Sequence, residues 1–147
     1  MTVSIDKERG ELIAEREFDV PIAVLFNAFL DPEQVARFWG PYGMTTPQGS
    51  VTLDPRPGGT FEALMVNDAD GSEHTMRATF IEIVPLELIS FKEHGMGLTS
   101  TMRFTDLGSR TRLSVHQTDV PKEILGPEVL AGFNSYLDKL AAYLATL

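Results

Sequence analysis

The chain has 147 residues, a formal net charge of −9 at pH 7 and no cysteine. Its acidic balance and the lack of a basic run argue against binding to nucleic acid or to an anionic membrane, because no cluster of cations is present to displace phosphate counterions. The lack of cysteine excludes disulfides, thiolate metal sites and a cysteine nucleophile.

Length and hydropathy predict one domain over residues 1–147. A chain of this size buries roughly two-thirds of its unfolded surface on folding, which is enough for one core. Residues 1–9 lack the apolar core of a signal peptide, and no apolar run is long enough to span a bilayer. We therefore expect a cytoplasmic protein with no membrane insertion, and the missing cysteines suit a reducing compartment.

A strand and a short helix are predicted first. Residues 11–18 alternate as a strand does, with Arg16 on the same face as Leu12 and Phe18. Arg16 is either a pocket-facing charge or a strand-end group that reaches water, and the second reading is favoured because unpaired charges are seldom buried. Pro21 then begins a helix whose apolar stripe consists of Ile22, Leu25, Phe26 and Phe29.

A second short helix is predicted from Asp31 onward. Asp31 suits the N-cap, Pro32 suits the first helical position, and Gln34 can reach back as in a capping box. Gly40 and Pro41 end the helix. Because so short a helix is not stable alone, its apolar face must pack on another element, and that face consists of Val35, Phe38 and Trp39.

The stretch 53–65 predicts a hairpin on the edge of a cavity-bearing sheet. Pro55 and Pro57 fix φ and lack the N–H donor, so they cannot lie inside a central ladder. Gly58 and Gly59 can take the positive φ that tight connections need. The strand that follows places three side chains on one face: Phe61, Ala63 and Met65.

A turn cluster and a long strand follow this hairpin. Residues 67–72 contain aspartates without the ligand spacing of an EF-hand, so a turn is favoured over a calcium site. In the strand 73–84 the apolar residues switch faces at Ile81, which predicts a bulge or a strong bend. The other strands that the alternation predicts cover residues 48–53, 86–91, 101–105 and 110–118.

A long amphipathic helix from about Pro127 to Leu147 is predicted to close the chain. Its apolar stripe is wide and therefore needs a wide surface, such as a curved sheet. The order of one strand, two short helices, about six consecutive strands and one long helix predicts an α+β fold and not a βαβ parallel sheet. A twisted sheet wrapped around this helix would leave a space between them. The stripe consists of Leu130, Phe133, Leu137, Leu140, Leu144 and Leu147.

Four motifs occur in a characteristic order along nearly the whole chain. They are Arg16-Glu17-Phe18 with Val20-Pro21, Asp31-Pro32-Glu33 with Phe38-Trp39-Gly40-Pro41, Asp54-Pro55-Arg56-Pro57-Gly58-Gly59-Thr60-Phe61 with Asp70-Gly71, and Ile83-Val84-Pro85-Leu86-Glu87-Leu88-Ile89. Together they make the chain resemble the START-like (SRPBCC, helix-grip) superfamily. Within it, the chain is most similar to the family named for homologues of the activator of the heat-shock-protein-90 ATPase. One departure is Phe133, where relatives commonly carry tryptophan in the last helix.

The resemblance implies a helix-grip fold, also called START-like or birch-pollen-allergen-like. In that fold a curved antiparallel sheet of about six or seven strands wraps a long C-terminal helix, and two short helices follow strand 1. The resemblance also implies a hydrophobic cavity between sheet and helix. Family members often form dimers, so a homodimer is one option for an oligomeric state that the sequence leaves open. It does not fix one activity.

No catalytic set is visible in the sequence. There is no Gly-x-Ser-x-Gly elbow and no His-Glu-x-x-His helix, and the glycine-rich turn lacks the Lys-Ser/Thr of a phosphate loop. His74, His94 and His116 fall on separate strands or strand ends, with His116 predicted to point outward. Surface or hydrogen-bonded histidines are favoured over a metal site, so no metal or cofactor is expected.

Two kinds of polar residue remain open as cavity groups. His74 shares a face with Met76 and Phe80, so it is kept as a polar anchor or proton acceptor in the cavity. The strand glutamates are predicted to be solvated charges, although a buried one with a raised pKa could act as a general base. These are Glu62, Glu82, Glu87 and Glu93.

The aromatic and methionine residues suit the lining of an apolar ligand cavity, although each could instead be plain core packing. We prefer a non-catalytic binder of a hydrophobic or aromatic small molecule. One alternative is an enzyme of the polyketide cyclase/dehydratase type, which a buried His–carboxylate pair would favour. The other is a chaperone co-factor or partner-binding module, which a collapsed cavity beside a large exposed apolar patch would favour. The predicted ligand-binding residues are Phe26, Trp39, Tyr42, Phe61, Met65, His74, Met76, Phe91, Met102, Phe104, Phe133 and Tyr136.

Overall fold

The computed structural model describes residues 2–147, which form nine strands and three α-helices. The helices are α1 (Ile22–Ala28), α2 (Pro32–Phe38) and α3 (Pro127–Leu144), and a short 3₁₀ turn at Lys122–Ile124 precedes α3. The strands are β1 (Thr2–Asp6), β2 (Glu11–Phe18), β3 (Met44–Thr45), β4 (Thr52–Leu53), β5 (Thr60–Asn67), β6 (Glu73–Val84), β7 (Leu88–Glu93), β8 (Thr99–Asp106) and β9 (Thr111–Thr118).

These strands form one antiparallel sheet in the order β1-β2-β9-β8-β7-β6-β5-β3, and β4 pairs with β5 outside this path. Buried residues of the sheet and of all three helices form one core cluster. The predicted α+β fold, with a curved sheet, two short helices and a long C-terminal helix, is confirmed, but the described sheet has nine strands where six or seven were expected. None of the helices within residues 2–147 has the length and hydropathy that a membrane crossing requires.

The first strand is missing from the sequence prediction. β1 pairs with β2 and places Val3 and Ile5, both half-buried, against the core. The remaining residues of this strand are exposed, so its alternation contains two apolar positions only. That pattern is too short to be distinguished from a polar terminus in the sequence.

The strand expected around residues 48–53 is also different in the structure. β4 covers only its last two residues, and β3 lies upstream of it. Pro47 and Gly49 form a turn between β3 and β4, in which the Ser50 N–H donates to the Pro47 carbonyl at 3.1 Å. Gly49 has a φ of 85°, which an extended strand does not allow.

The hairpin over 53–65 forms as predicted, with Leu53 opposite Phe61. Gly58 takes a φ of 80°, whereas Gly59 does not take a positive φ. Gly59 is required for a different reason, because a Cβ atom there would collide with the backbone carbonyl oxygen of Asp54. The predicted bend in β6 is confirmed as well, since the pairing register with β7 shifts between Phe80 and Glu82.

Arg16 corrects the sequence interpretation. Its side chain is only 12% exposed, and its guanidinium lies 2.8 Å from the carboxylate of Asp138 on α3. The favoured interpretation, a strand-end group that reaches water, is therefore wrong, because the guanidinium is mostly covered and pairs with an exposed carboxylate on α3. The last helix also ends at Leu144, before the predicted Leu147, which is exposed.

Candidate functional site

A pocket of about 940 Å³ lies between the inner face of the sheet and the N-terminal half of α3. The segment 39–41 after α2 bounds it on one side, and the segment 123–126 before α3 bounds it on another. Its lining is mostly apolar, and several of the lining side chains are exposed, so the pocket opens to solvent.

Alternate residues of β7, β8 and β9 form the floor of the pocket. Successive side chains on a strand point to opposite faces, so one set from each strand faces α3. Phe91 lies opposite Ser100, and Met102 lies opposite Val115, in the antiparallel register. The floor also includes Glu93, Leu113 and Gln117 on these strands, and Met65 on β5, Met76 on β6 and Leu98 just before β8 extend it.

Aromatic rings form one wall. The ring of Trp39 lies 5.6 Å from the ring of Tyr136 in an edge-to-face arrangement, and the ring of Phe133 lies 5.6 Å from that of Tyr136. On its other side, Trp39 contacts Phe61 at 5.0 Å. Such edge-to-face contacts fix the orientation of each ring. Trp39 is also the only tryptophan of the chain.

Lys139 on α3 holds the segment that carries Trp39. Its ammonium donates hydrogen bonds to the Trp39 carbonyl at 3.3 Å and to the Met44 carbonyl at 3.1 Å. Burial lowers the pKa of Lys139, and the nearby charge of Asp68 partly opposes that change. The wall of the pocket is therefore tied to α3 by backbone contacts as well as by ring packing.

The helix α2 is fixed to α3 in a related way. The Asp31 carboxylate accepts a hydrogen bond from the Glu33 N–H at 3.0 Å, as an N-cap does. The Gln34 side-chain amide donates to the same carboxylate at 3.1 Å, and its oxygen accepts from the Tyr143 hydroxyl at 2.8 Å. The predicted N-cap is correct, but Gln34 reaches the carboxylate of Asp31 and α3, not the Asp31 backbone.

Three neutral polar groups face the apolar pocket. Ser100 is 2% exposed, and within residues 2–147 its hydroxyl makes no hydrogen bond. Gln117 lies opposite Ser100 on the next strand. Burial raises the pKa of Tyr136 far above its usual range, so its hydroxyl stays protonated at neutral pH and can act only as a neutral donor or acceptor.

Glu93 is the buried charge of the floor. It is 6% exposed, and its two carboxylate oxygens accept hydrogen bonds from the Gly95 N–H and the Met96 N–H, each at 2.8 Å. These bonds close the turn between β7 and β8. The prediction that Glu93 is a solvated strand charge is therefore wrong, because its side chain points inward and caps this turn. Glu62 is half-buried, and Glu82 and Glu87 are exposed.

Exposed residues from three segments surround the mouth. Met96 comes from the β7–β8 turn, Glu123 and Ile124 come from the short turn before α3, and Pro127 and Glu128 begin α3. The mouth is therefore a mixture of apolar side chains and carboxylates.

The predicted ligand-binding residues fall into three groups. Phe26, Phe61 and Phe104 are buried in the core and do not line the pocket, although Phe61 supports Trp39 from behind. Tyr42, at 61% exposure, and His74 are exposed and lie outside the pocket lining. The other predicted residues do line it: Trp39, Met65, Met76, Phe91, Met102, Phe133 and Tyr136. Contact of any of these residues with a ligand remains a prediction.

Sequence reasoning missed the polar floor and the mouth. Strand parity could have placed Ser100 inward, two residues from Met102, and Gln117 inward, two residues from Val115. No sequence signal would have brought the segment 123–128 to the pocket.

The three histidines are not brought together. His94 shares a hydrogen bond of 2.7 Å with the Thr79 hydroxyl. His116 is exposed, as predicted, and its Nε2 lies 2.8 Å from the Glu11 carboxylate. Across residues 2–147, no group of three His, Asp or Glu side chains is arranged to hold a metal ion.

Comparisons with known proteins give a consistent result. A family model described as "Activator of Hsp90 ATPase homolog 1-like protein" matches residues 19–145. Among solved structures, a protein from Chromobacterium violaceum is 26% identical with a TM-score of 0.82, over 90% of this chain and 95% of that one. The AHSA1 protein from Silicibacter pomeroyi is also 26% identical with a TM-score of 0.80, over 92% and 98%. A protein from Arthrobacter aurescens shares the fold with a TM-score of 0.86 at 20% identity, over 99% and 92%. A comparison with curated proteins gave no match.

Proposed function

This chain belongs to the family of Activator of Hsp90 ATPase homolog 1-like proteins, and we propose that it binds a small hydrophobic or aromatic molecule in the pocket between the sheet and α3. The observation that carries the proposal is the pocket itself. Its volume of about 940 Å³, its apolar lining and its few inward polar groups have the form that small-molecule sites usually take. The lining methionines, Met65, Met76, Met96 and Met102, can adapt to different ligand shapes.

The expected affinity follows from the area that a ligand can bury. Apolar surface removed from water contributes roughly 25 cal/mol per Å². A two-ring aromatic molecule that buries roughly 250 Å² thus gains roughly 6 kcal/mol before the cost of association is subtracted. We therefore expect simple probes to bind no tighter than roughly tens of micromolar, with dissociation constants that extend to the millimolar range.

Binding ranks ahead of catalysis because of where the histidines lie. A buried His–carboxylate pair in the pocket would favour an enzyme of the polyketide cyclase/dehydratase type. Among residues 2–147, the pair formed by His116 and Glu11 lies on an exposed part of β9 and β2, and His74 is exposed. A partner-binding module is less favoured because the pocket is open and not collapsed.

Three broader features complete the proposal. We propose that residues 1–147 form one helix-grip domain, since the described strands and helices share one main core. Action in the cytoplasm is proposed from the absence of cysteine. The homodimer implied by the family resemblance stays a prediction.

The test uses freshly purified protein. Native mass spectrometry should detect a co-purified small molecule, or a panel of neutral hydrophobic compounds should raise the Tm in a thermal-shift assay. Because Trp39 is the only tryptophan and lines the pocket, the same ligands should change its fluorescence emission. No co-purified mass, no rise in Tm and no change in Trp39 emission with any compound would count strongly against the proposal.

A further inference from the structure

The charged side chains that line the pocket are all carboxylates. Glu93 lies in the floor, and Glu123 and Glu128 lie at the mouth. Over the described residues 2–147, the lining contains no Lys, Arg or His. A hydrophobic anion would therefore lose its hydration in the pocket without gaining an opposite charge.

Glu93 is a desolvated acceptor with unused capacity. Its carboxylate accepts two backbone hydrogen bonds, whereas an ionised carboxylate offers about four acceptor positions. Within residues 2–147 no basic side chain lies close enough to Glu93 to form a salt bridge. A cation that enters the pocket would supply the opposite charge to this carboxylate.

Two neutral acceptors lie on the same part of the floor. Ser100 is only 2% exposed and lines the pocket, and its hydroxyl has no hydrogen-bond partner among the described residues. Gln117 is its direct cross-strand neighbour. Ser100 also lies opposite Phe91 on β7. Glu93 follows Phe91 by two residues on the same strand, so Glu93 is the diagonal neighbour of Ser100. Direct and diagonal neighbours on one face are roughly 5 Å and 7–8 Å apart, so one small group can reach several of them.

The aromatic wall favours the same sign of charge. Trp39, Phe91, Phe133 and Tyr136 line the pocket that contains these acceptors. The face of an aromatic ring attracts a cation, most strongly for tryptophan, and the attraction increases where water is excluded. Rings and carboxylates together therefore make the interior attractive to a positive charge.

The start of α3 opposes this. Gly126, Pro127, Glu128 and Val129 line the mouth, and the N-terminus of a helix carries the equivalent of roughly half a positive charge. Pro127 has no N–H to offer an anion, and Glu128 places a carboxylate in the first turn. The lining therefore sets three carboxylates against the equivalent of roughly half a positive charge at the start of the helix.

We infer that the pocket is selective for hydrophobic amines: the ligand class has an apolar or aromatic body against the aromatic wall and a protonated nitrogen among Glu93, Ser100 and Gln117. This inference rests on the proposed binding function and names its ligand class. A protonated primary amine carries three N–H donors, which matches the three acceptors of the floor.

The test compares three probes with one apolar body. We would titrate 4-biphenylmethylamine, 4-biphenylmethanol and 4-biphenylcarboxylate into the full chain at neutral pH by isothermal titration calorimetry. We expect the amine to bind about tenfold tighter than the alcohol, and the carboxylate to bind weakest. Because the body is constant, differences report the charge of the head group.

Variants separate the pocket charge from the overall charge of −9. Glu93→Gln should reduce the preference for the amine over the alcohol by about fivefold to tenfold. Glu82→Gln is the matched control, since Glu82 is exposed on β6 outside the pocket lining and its removal changes the net charge equally. If Glu93→Gln fails to fold, because Glu93 also caps a turn, the double variant Glu123→Gln/Glu128→Gln takes its place and should reduce the preference in the same direction.

The possible outcomes test the amine selectivity separately from the proposed binding of a hydrophobic molecule. Binding of all three probes with equal affinity, or tightest binding of the carboxylate, would overturn the amine selectivity and leave the binding function standing. An equal loss of amine preference in Glu82→Gln would also overturn it, because the effect would then belong to the net charge. Failure of every probe to bind would overturn the proposed function and the inference together.

Discussion

Substitution of Gly132 should have two separate effects, one on the stability of the protein and one on ligand binding in the pocket. Gly132 lies inside α3 and lines the pocket. A Cβ atom built there meets only the side chain of Pro41, at 3.9 Å, which is an ordinary van der Waals contact. A side chain at this position would therefore enter the pocket without displacing the backbone.

The two effects have different expected sizes. Gly132→Ala should raise the free energy of unfolding by about 1 kcal/mol, because alanine loses less conformational freedom than glycine inside a helix. In a domain of this length that gain corresponds to a rise in Tm of about 2–5 °C. Gly132→Leu should keep most of this gain while it weakens binding of 4-biphenylmethanol by about 1–3 kcal/mol, because the added side chain would occupy part of the pocket that the probe fills.

The assay pairs urea unfolding with calorimetric titration of the same samples. Ala131→Leu is the matched control, since Ala131 is the exposed neighbour of Gly132 on α3 and lies outside the lining, so its binding should equal that of the unmodified chain. If Gly132→Leu binds the probe as tightly as Ala131→Leu does, the ligand lies elsewhere. If Gly132→Ala lowers the stability, the surroundings of residue 132 differ from those described.

Two further predictions concern stability. The pKa of Tyr136 is raised in the folded protein. Above about pH 10 this hydroxyl therefore ionises in the unfolded chain but stays neutral in the folded chain. The free energy of unfolding should fall by up to about 1.4 kcal/mol per pH unit because of this group. In urea unfolding between pH 9 and pH 11, the free energy of unfolding should fall less with pH for Tyr136→Phe than for the unmodified chain. An equal fall in both proteins would contradict the burial of the hydroxyl. Gly59→Ala should lower the free energy of unfolding by about 2–4 kcal/mol, because its Cβ meets two rigid carbonyl oxygens, those of Asp54 and Arg56. Gly71→Ala, at a φ of 73° in open space, should cost only about 1–2 kcal/mol in the same denaturation assay, and similar losses for both variants would show that the contact at Gly59 is not tight.

The fold could be read from the sequence because its main signals are local. Helix starts at Pro21 and Asp31 and the bend at Ile81 depend on residues within a few positions of each other, so backbone chemistry alone fixes them. The prediction errors occur where the environment of a side chain depends on a contact with a residue far away in the sequence. Arg16 looks like an unwanted charge on an apolar face, until Asp138 on α3 is placed beside it.

The same distinction explains the predicted pocket. Strand parity and the helical stripe select the side chains that face inward, but they do not distinguish the core from the pocket. Phe61 and Phe104 share the inner face with Met65 and Met102. The first two residues are covered by Trp39 and α1, whereas the pocket separates the N-terminal half of α3 from the rest of that face. His74 fails for a related reason: it has the right parity and lies opposite the lining residue Met65, but it is exposed near the beginning of β6 and is not part of the lining.

Glu93 shows why the ligand class is harder to read than the fold. In the sequence it is one of several strand glutamates, and its neighbours Gly95 and Met96 resemble an ordinary turn. The turn brings two N–H groups onto the carboxylate, which gives it hydrogen-bond donors while its side chain remains on the inner face. The same turn places Met96 at the mouth. One local arrangement therefore places both the carboxylate of the floor and part of the entrance.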